Sequence, residues 1–492
     1  MKPSEDLFQL IKSMNMSEKR HFKIHSSRHT IGETNNYERL FDAIEKQDAY
    51  NEAKIKRQFE GESFIRHLPS EKHYLYNHIL ESLNSFHKEK TFLSRYSNIL
   101  ISIELLYNRG LFDQCMKLIR KAKEEAYSLE KFSILLAILR RETIIYIKDE
   151  DAENLSANID EELRVMETLR IQSILMKIAF NIQIQIDKGS ISAEFMKAQT
   201  KALESNLPPT KNVNSFWAEY YYFSAKALIY SVQNKPAPRY VCYREIKALM
   251  DDSPQFIKDI PSVYHLNYNN LVNVMLFLKK FREAESLIEE QRLFLDTYKI
   301  RNPTLSKIVF INTCESELYL YYKAGQYQKA GITLANIEPE VRKIEPSFSP
   351  LLFDLFFFMA VTDLLIRNYK GASKWLNRIL NSEREMKLRK ELQINTRLLY
   401  LIVLYESDDR LFDSRMNATK RFLSREPHFK LQSAVFDAIR SLAEGANKKN
   451  KQDLKKSLPD LKKEQLKSSQ VSLNKYFDFV EWVEKKQLGV IG

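Results

Sequence analysis

The chain has 492 residues, 44% of them hydrophobic, and a formal net charge of +12 from 76 basic and 64 acidic residues. That is enough apolar surface to fold and too much chain for one compact core of ordinary size, so the molecule is either several domains or one elongated array. Both signs of charge are dense and interleaved, which a solvated helical surface explains without a nucleic-acid partner. Glycine occurs only 10 times, and no Asn-Gly or Asp-Gly pair marks a hairpin, which disfavours sheets and Gly-rich ligand loops. Cys115, Cys242 and Cys314 lie far apart inside helical patterns. That spacing argues against a disulfide framework or a Cys-rich zinc site and fits a reducing cytoplasm.

The opening MKPSEDLFQL carries Glu5 and Asp6 where a signal peptide needs a basic and then an apolar region, so no export signal is expected. Residues 1–90 read as a small histidine-rich helical domain, holding His21, His25, His29, His67, His73, His78 and His87. Ser17 is placed to cap a helix from Glu18, Gly32 with Asn35 and Asn36 marks a break, and Pro69-Ser70 precedes another start before Glu71. His21, His25 and His29 at i, i+4 and i+8 would align on one helix face and could hold zinc or nickel with His67 or His73. No second-shell carboxylate stands nearby and Ser26-Ser27-Arg28 interrupts the helix, so a polar surface face is the preferred reading and no metal or cofactor is expected. Lys19, Arg20, Lys23 and Arg28 could neutralise phosphates, with Phe22 anchoring their helix. A helix-turn-helix needs a tight turn, whereas the helices read over 51–60 and 71–86 are separated by about ten residues. DNA binding through this domain is therefore the lesser reading.

From 91 to 445 the pattern becomes long amphipathic segments in pairs, joined by a recurring signature: a helix ending in Leu or Tyr, a turn, an aromatic, and a small residue three further on. YNRGLFDQC (Phe112, Cys115) and YYKAGQYQKA (Tyr327, Ala330) are the clearest copies. LKKFREA (Phe281, Ala284), IRNYKGA (Tyr369, Ala372) and DDRLFDSR (Phe412, Arg415) are weaker. From Phe281 to Phe412 the aromatics step by 46, 42 and 43. Less regular turns fall near Asp149 to Ala152, at DKGSIS with Gly189 and Ile191, and at NKPAPRY with Pro236, Pro238 and Tyr240. The expectation is about eight stacked hairpins. A left-handed-tolerant residue such as Gly110 or Gly325 makes the turn, the aromatic fills the wedge between helices, and the small residue permits close approach.

Two stretches stand out within the array. SFWAEYYYFSAKALIY packs Phe216, Trp217, Tyr220, Tyr221, Tyr222, Phe223 and Tyr230 into one segment. Adjacent helix positions differ by about 100°, so Tyr220 to Tyr222 cannot all face one partner helix. The apolar stretch from Leu351 to Ile366 contains Asp354 and Asp363 and is shorter than the roughly 20 residues a membrane span needs, so it reads as a buried helix with no span expected. Residues 446–492 form a basic linker with Pro459 inside it, followed by VSLNKYFDFVEWVEKK, whose Leu473, Phe477, Val480 and Val483 make a stripe that could cap the last hairpin.

The hairpin signature resembles the tetratricopeptide repeat, which has Gly, Tyr and Ala at these spacings; counted from Gly325, Tyr321 and Leu334 also match. The resemblance covers roughly 91–135 and 262–425. The sequence departs from it where Lys279, Arg367 and Arg410 occupy the turn position and Arg415 replaces the small residue, and the spacing exceeds the family's period of about 34. The segments LIKSMNMSEKRHFKI, NNYERLFDAIEKQ and HYLYNHILESL are similar to the N-termini of bacterial helical-repeat proteins of unknown function. The tetratricopeptide resemblance implies a concave surface lined by first helices, with Asn269, Asn273, Asn312, Glu315, Tyr319, Tyr322, Lys323, Arg397 and Tyr400 facing a peptide groove. Asn side chains there could clamp a peptide backbone. No P-loop, dinucleotide fingerprint, HExxH or nucleophile elbow is present, and no catalytic residue is assigned.

The sequence therefore points to an all-α α-solenoid with a small helical N-terminal domain. The function expected of it is a non-enzymatic, cytoplasmic scaffold for a protein or peptide partner. The alternative is a regulator whose N-terminal domain binds DNA or an effector while the repeats sense a peptide.

Overall fold

A computed structural model describes residues 5–27, 36–87, 92–188, 193–205, 215–382, 389–426, 429–444, 459 and 477–487. Among these residues the chain is all helical, without strands, and its helices pack as a repeat-like array. Contacts divide it into two units, Met1–Met166 and Glu167–Gly492, with the boundary inside one long helix, α9 (Ala152–Lys188).

The first unit begins with α1 (Asp6–Ser13), α2 (Met16–Ser27), α3 (Asn36–Glu45), α4 (Glu52–Gln58) and α5 (Leu68–His87). Their apolar faces close a core of their own, in which Phe22 stacks on Phe41 at 4.7 Å. The cap of α2 is Asn15 rather than Ser17. Asn15 Oδ1 accepts from the Glu18 amide at 3.0 Å and Glu18 Oε2 accepts from the Asn15 amide at 2.9 Å, a reciprocal box that satisfies two otherwise orphaned donors. The longer helices α6 (Phe92–Tyr107), α7 (Phe112–Ser128) and α8 (Phe132–Lys148) follow.

The second unit contains α10 (Ala193–Ser205), α11 (Phe216–Val232), α12 (Pro236–Asp251), α13 (Pro254–Asp259), α14 (Pro261–Phe277), α15 (Phe281–Thr297), α16 (Pro303–Lys323), α17 (Tyr327–Phe348), α18 (Phe353–Leu365), α19 (Tyr369–Asn381), α20 (Lys390–Glu406), α21 (Phe412–Ser424), α22 (Lys430–Ala443) and α23 (Phe479–Gln487). The signature aromatics Phe112, Phe281, Tyr327, Tyr369 and Phe412 are each the first residue of a second helix. The small residues after them, Cys115, Ala284, Ala330 and Ala372, are buried where the paired helices meet. Turn residues take the left-handed conformation whether or not they are glycine: φ is 73° at Gly110, 71° at Gly325, 58° at Lys279 and 63° at Arg367. Each turn closes with an amide reaching back five residues, as in Lys280 N to Met275 O at 2.9 Å and Asn368 N to Asp363 O at 2.7 Å. In DDRLFDSR the left-handed residue is Asp408, not Arg410, because the loop runs on through Leu411 before α21 begins.

First helices are more deeply buried than second helices. On α18 every residue from Leu355 to Leu364 is buried, and on α20 every residue from Leu398 to Leu404. Second helices stay amphipathic and are stitched to their neighbours by ion pairs: Lys247 to Glu290, Lys329 to Glu285 and Lys374 to Glu338. The aromatic run on α11 spreads its rings in different directions. Phe216 stacks on Phe256 at 4.0 Å, Tyr221 faces Phe180, and Tyr222 lies under the Lys226 ammonium. No helix among the described residues is long and apolar enough to cross a membrane.

Candidate functional site: the first-helix face of the second unit

Two of the residues expected in the groove, Asn269 and Asn273, lie on α14, and a polar knot draws one of them together with a residue of α16. His265 is 2% exposed. Asn312 Nδ2 lies 2.9 Å from His265 Nε2, and Asn269 Nδ2 lies 3.5 Å from the same nitrogen. The Gln291 amide of α15 closes the other side, 3.2 Å from His265 Nδ1 and hydrogen-bonded to Asn269. Burial pushes the imidazole down to about 4, so it is neutral at ordinary pH and carries one ring proton. A neutral imidazole accepts at only one of its two ring nitrogens, so the Asn312 and Gln291 amide nitrogens on its two sides cannot both donate to it. Asn269 and Asn312 thus tie three helices together through His265, while Asn273 is half-buried on α14.

Further along, α16 presents Glu315, half-buried, then Tyr319, buried against Phe358 with ring centroids 5.1 Å apart, and Tyr322 and Lys323. The Lys323 ammonium lies 5.6 Å from the Tyr319 ring and 5.1 Å from the Tyr322 ring. Burial lowers its pKa, with Asp478 and Glu481 pulling the other way. It has no carboxylate at ion-pair distance among the described residues. Arg239 of α12 acts electrostatically on the same Tyr319. Its Nη1 donates to Ser231 Oγ at 3.2 Å, while its Nε is buried without a hydrogen-bond partner. On α20, Arg397 stacks over Phe422 at 4.8 Å, and the buried Tyr400 hydroxyl accepts from Asn377 at 2.9 Å beneath the Arg415 guanidinium.

The C-terminal segment lies across this face. The Asp478 amide donates to the Tyr322 hydroxyl at 2.9 Å and Phe477 stacks on the Tyr322 ring at 5.8 Å. One turn on, Trp482 Nε1 donates to Glu406 Oε1 at 3.0 Å, and Lys486 pairs with Glu406 Oε2 at 2.8 Å. Phe477, Phe479, Val480 and Val483 are all within 3% of full burial. Asp478 caps the helix by accepting from the Glu481 amide at 2.9 Å. The C-terminal helix packs on α22, and residues 477–487 also reach α16 and α20; Leu473 lies outside the described residues.

The chain matches no known protein-family model, no curated protein and no solved structure.

Several residues that organise this face carry no motif. They are His265, Gln291, Arg239, Glu406 and Trp482. His265 and Asn269 are i and i+4 on one helix face, and Glu406 is an acid at the end of an apolar helix; those are the available signals. Beside the face, a cleft of about 420 Å³ is lined by residues that include Arg292, Asn302, Thr313, Cys314 and Glu317. Burial pushes the Cys314 thiol up to about 12, so it stays protonated and is unfit as a nucleophile at neutral pH.

In the first unit, His21 Nδ1 lies 3.0 Å from Ser82 Oγ, and the His21 and His25 rings stack at 6.2 Å; His29 lies outside the described residues. No group of three potential ligands converges among the described residues. Of the cations weighed for phosphate contact, Lys19 pairs with Glu45 at 3.0 Å and Lys23 with Asp42 at 2.8 Å. Arg20 is exposed, and Arg28 lies outside the described residues.

Proposed function

We propose that this chain is a non-enzymatic scaffold that binds a helix or peptide of a partner protein on the first-helix face of its second unit. In this reading the paired helices form about eight tetratricopeptide-like hairpins. The observation that carries it is the seating of residues 477–487. A short helix, nine residues long and too short to be stable in isolation, is held here by aromatic stacking, a backbone hydrogen bond and a two-point contact to one carboxylate. That is the chemistry of helix-in-groove recognition. Three free, buried cysteines favour a reducing, cytoplasmic setting. The ion pairs of Lys19 and Lys23 favour this reading over a DNA-binding regulator.

Affinity purification from the native host with mass spectrometry tests it. The wild-type chain should retain a discrete partner that a Lys323→Glu, Arg397→Glu chain loses. Equal retention by a folded variant would place binding elsewhere.

A further inference from the structure

The face that receives residues 477–487 has a polarity. At the α16 end it offers two cations without carboxylate partners among the described residues, Arg239 and Lys323, beside Tyr319 and Tyr322. At the α20 end it offers one carboxylate, Glu406, whose side chain is 14% exposed and whose two oxygens are used separately, one by an indole N–H and one by an ammonium. A helix laid across it is therefore read in one direction, with its acidic N-terminal end toward the cations and a lysine of its later turns toward Glu406. This matches the charge order that a helix dipole favours. The sequence Phe477-Asp478-Phe479, Trp482, Lys486 meets each requirement. Trp482 and Lys486 stand at i and i+4, which puts both on the one carboxylate.

Both cations remain underused in this arrangement. The Asp478 carboxylate accepts from the Glu481 amide and makes no ion pair with Lys323 or Arg239. A ligand with an additional acid at its N-terminal end would gain an interaction that the chain's own segment does not make.

Resting on the scaffold reading above, we propose that the face between α16 and α20 docks a partner helix of defined pattern. That pattern is an aromatic–acid–aromatic start, a tryptophan five residues after the first aromatic, and a lysine four residues after the tryptophan. Residues 477–487 hold the site in cis, and a partner helix binds by displacing them. A tethered segment competes at an effective concentration on the order of millimolar, so the cis helix sets a threshold that weak or mismatched helices do not pass.

The test uses the full-length chain and a fluorescein-labelled peptide of residues 477–487, followed by anisotropy. A Trp482→Ala chain removes the indole anchor and frees the site. A Lys486→Glu chain loosens the same segment without removing a buried side chain. Both, checked by circular dichroism, should bind the peptide at least about tenfold more tightly than wild type does, because the tethered competitor is weakened. A Glu406→Lys, Trp482→Ala chain should lose the native peptide and prefer one carrying Lys486→Glu, the reversal expected of a direct charge pair.

Failure of both opened, folded chains to bind the peptide overturns the proposal. A wild-type dimer that Trp482→Ala converts to monomer overturns it as well, since the helix would then be exchanged between copies. A host partner retained equally by wild-type and Glu406→Lys chains, with no peptide binding, would leave the scaffold reading standing and remove this site. Peptide binding with no host partner would do the reverse.

Discussion

At the residue scale, the turns show how far a local signal carries and where it misleads. A left-handed turn residue other than glycine costs on the order of 1 kcal/mol through its Cβ, and Lys279 at φ 58° bears that cost on an exposed turn. Lys279→Gly is expected to raise stability by up to about 1 kcal/mol, read as a higher urea midpoint at unchanged slope. Gly371 behaves in the opposite sense from an ordinary helical glycine, where alanine gains up to about 1 kcal/mol. Its amide donates to Asn368 Oδ1 at 3.2 Å, and a Cβ there would overlap both Asp363 Oδ2 and Asn368 Nδ2. Gly371→Ala should therefore lower the midpoint, by about 1–3 kcal/mol for an overpacked site; a neutral or stabilising result would show that the Asp363–Asn368 brace can shift at little cost. The signature aromatics and small residues were legible because their job is done within a few residues of chain. The left-handed position falls at Asp408 instead of the expected Arg410 because a loop two residues longer moves it without changing the aromatic that follows.

At the scale of elements, two buried ionisable groups brace neighbouring helices and titrate with opposite consequences. His265 joins α14, α15 and α16 and is held neutral by burial, with its pKa near 4 against 6.5 in an unfolded chain. Between those values the unfolded state binds the extra proton, so His265 contributes stability that is present above pH 6.5 and lost as pH falls through 4. The full amount is about 3 kcal/mol. Asp363 joins α18 to α19 by accepting from Asn368 Nδ2 at 2.9 Å and Trp375 Nε1 at 3.0 Å. Burial outweighs those bonds and raises it to about 6 from 3.8. Its contribution is present below pH 3.8 and lost as pH rises through 6. Relative to wild type, His265→Gln should gain stability as pH falls from 6.5 to 4, whereas Asp363→Asn should gain as pH rises over nearly the same range. Denaturant titrations at four or five pH values separate the two, and parallel curves for either variant would mean its group does not titrate there. Asp363 could be noticed in the sequence as an acid inside an apolar run. Its Trp375 partner lies one helix away, and the His265 knot spans 47 residues to Asn312, so neither was visible in any local window.

At the scale of the second unit, each hairpin leans on its neighbours, and the C-terminal segment closes contacts that chain order would not supply: Asp478 meets Tyr322 across 156 residues. Periodicity announces that such a helix has an apolar stripe; it does not say which hairpin receives it, since several offer apolar first helices. In a stacked array, stability is a sum of hairpin and nearest-neighbour terms, and a local defect opens its neighbours rather than the whole. Trp482 packs against Tyr405 with ring centroids 5.9 Å apart as well as bonding Glu406, and truncating a buried tryptophan costs about 3–5 kcal/mol. Hydrogen exchange on a Trp482→Ala chain should therefore show protection lost in α23, in α22 beneath it, and at the C-terminal ends of α16 and α20. Protection in α10 and α11, which are separated from α16 by α12 and α14 in the order of packed helices, should stay at the wild-type level. Equal loss throughout the unit would mean that it unfolds as a single cooperative block, and that the C-terminal helix is part of the core's global stability instead of a separable occupant of one face.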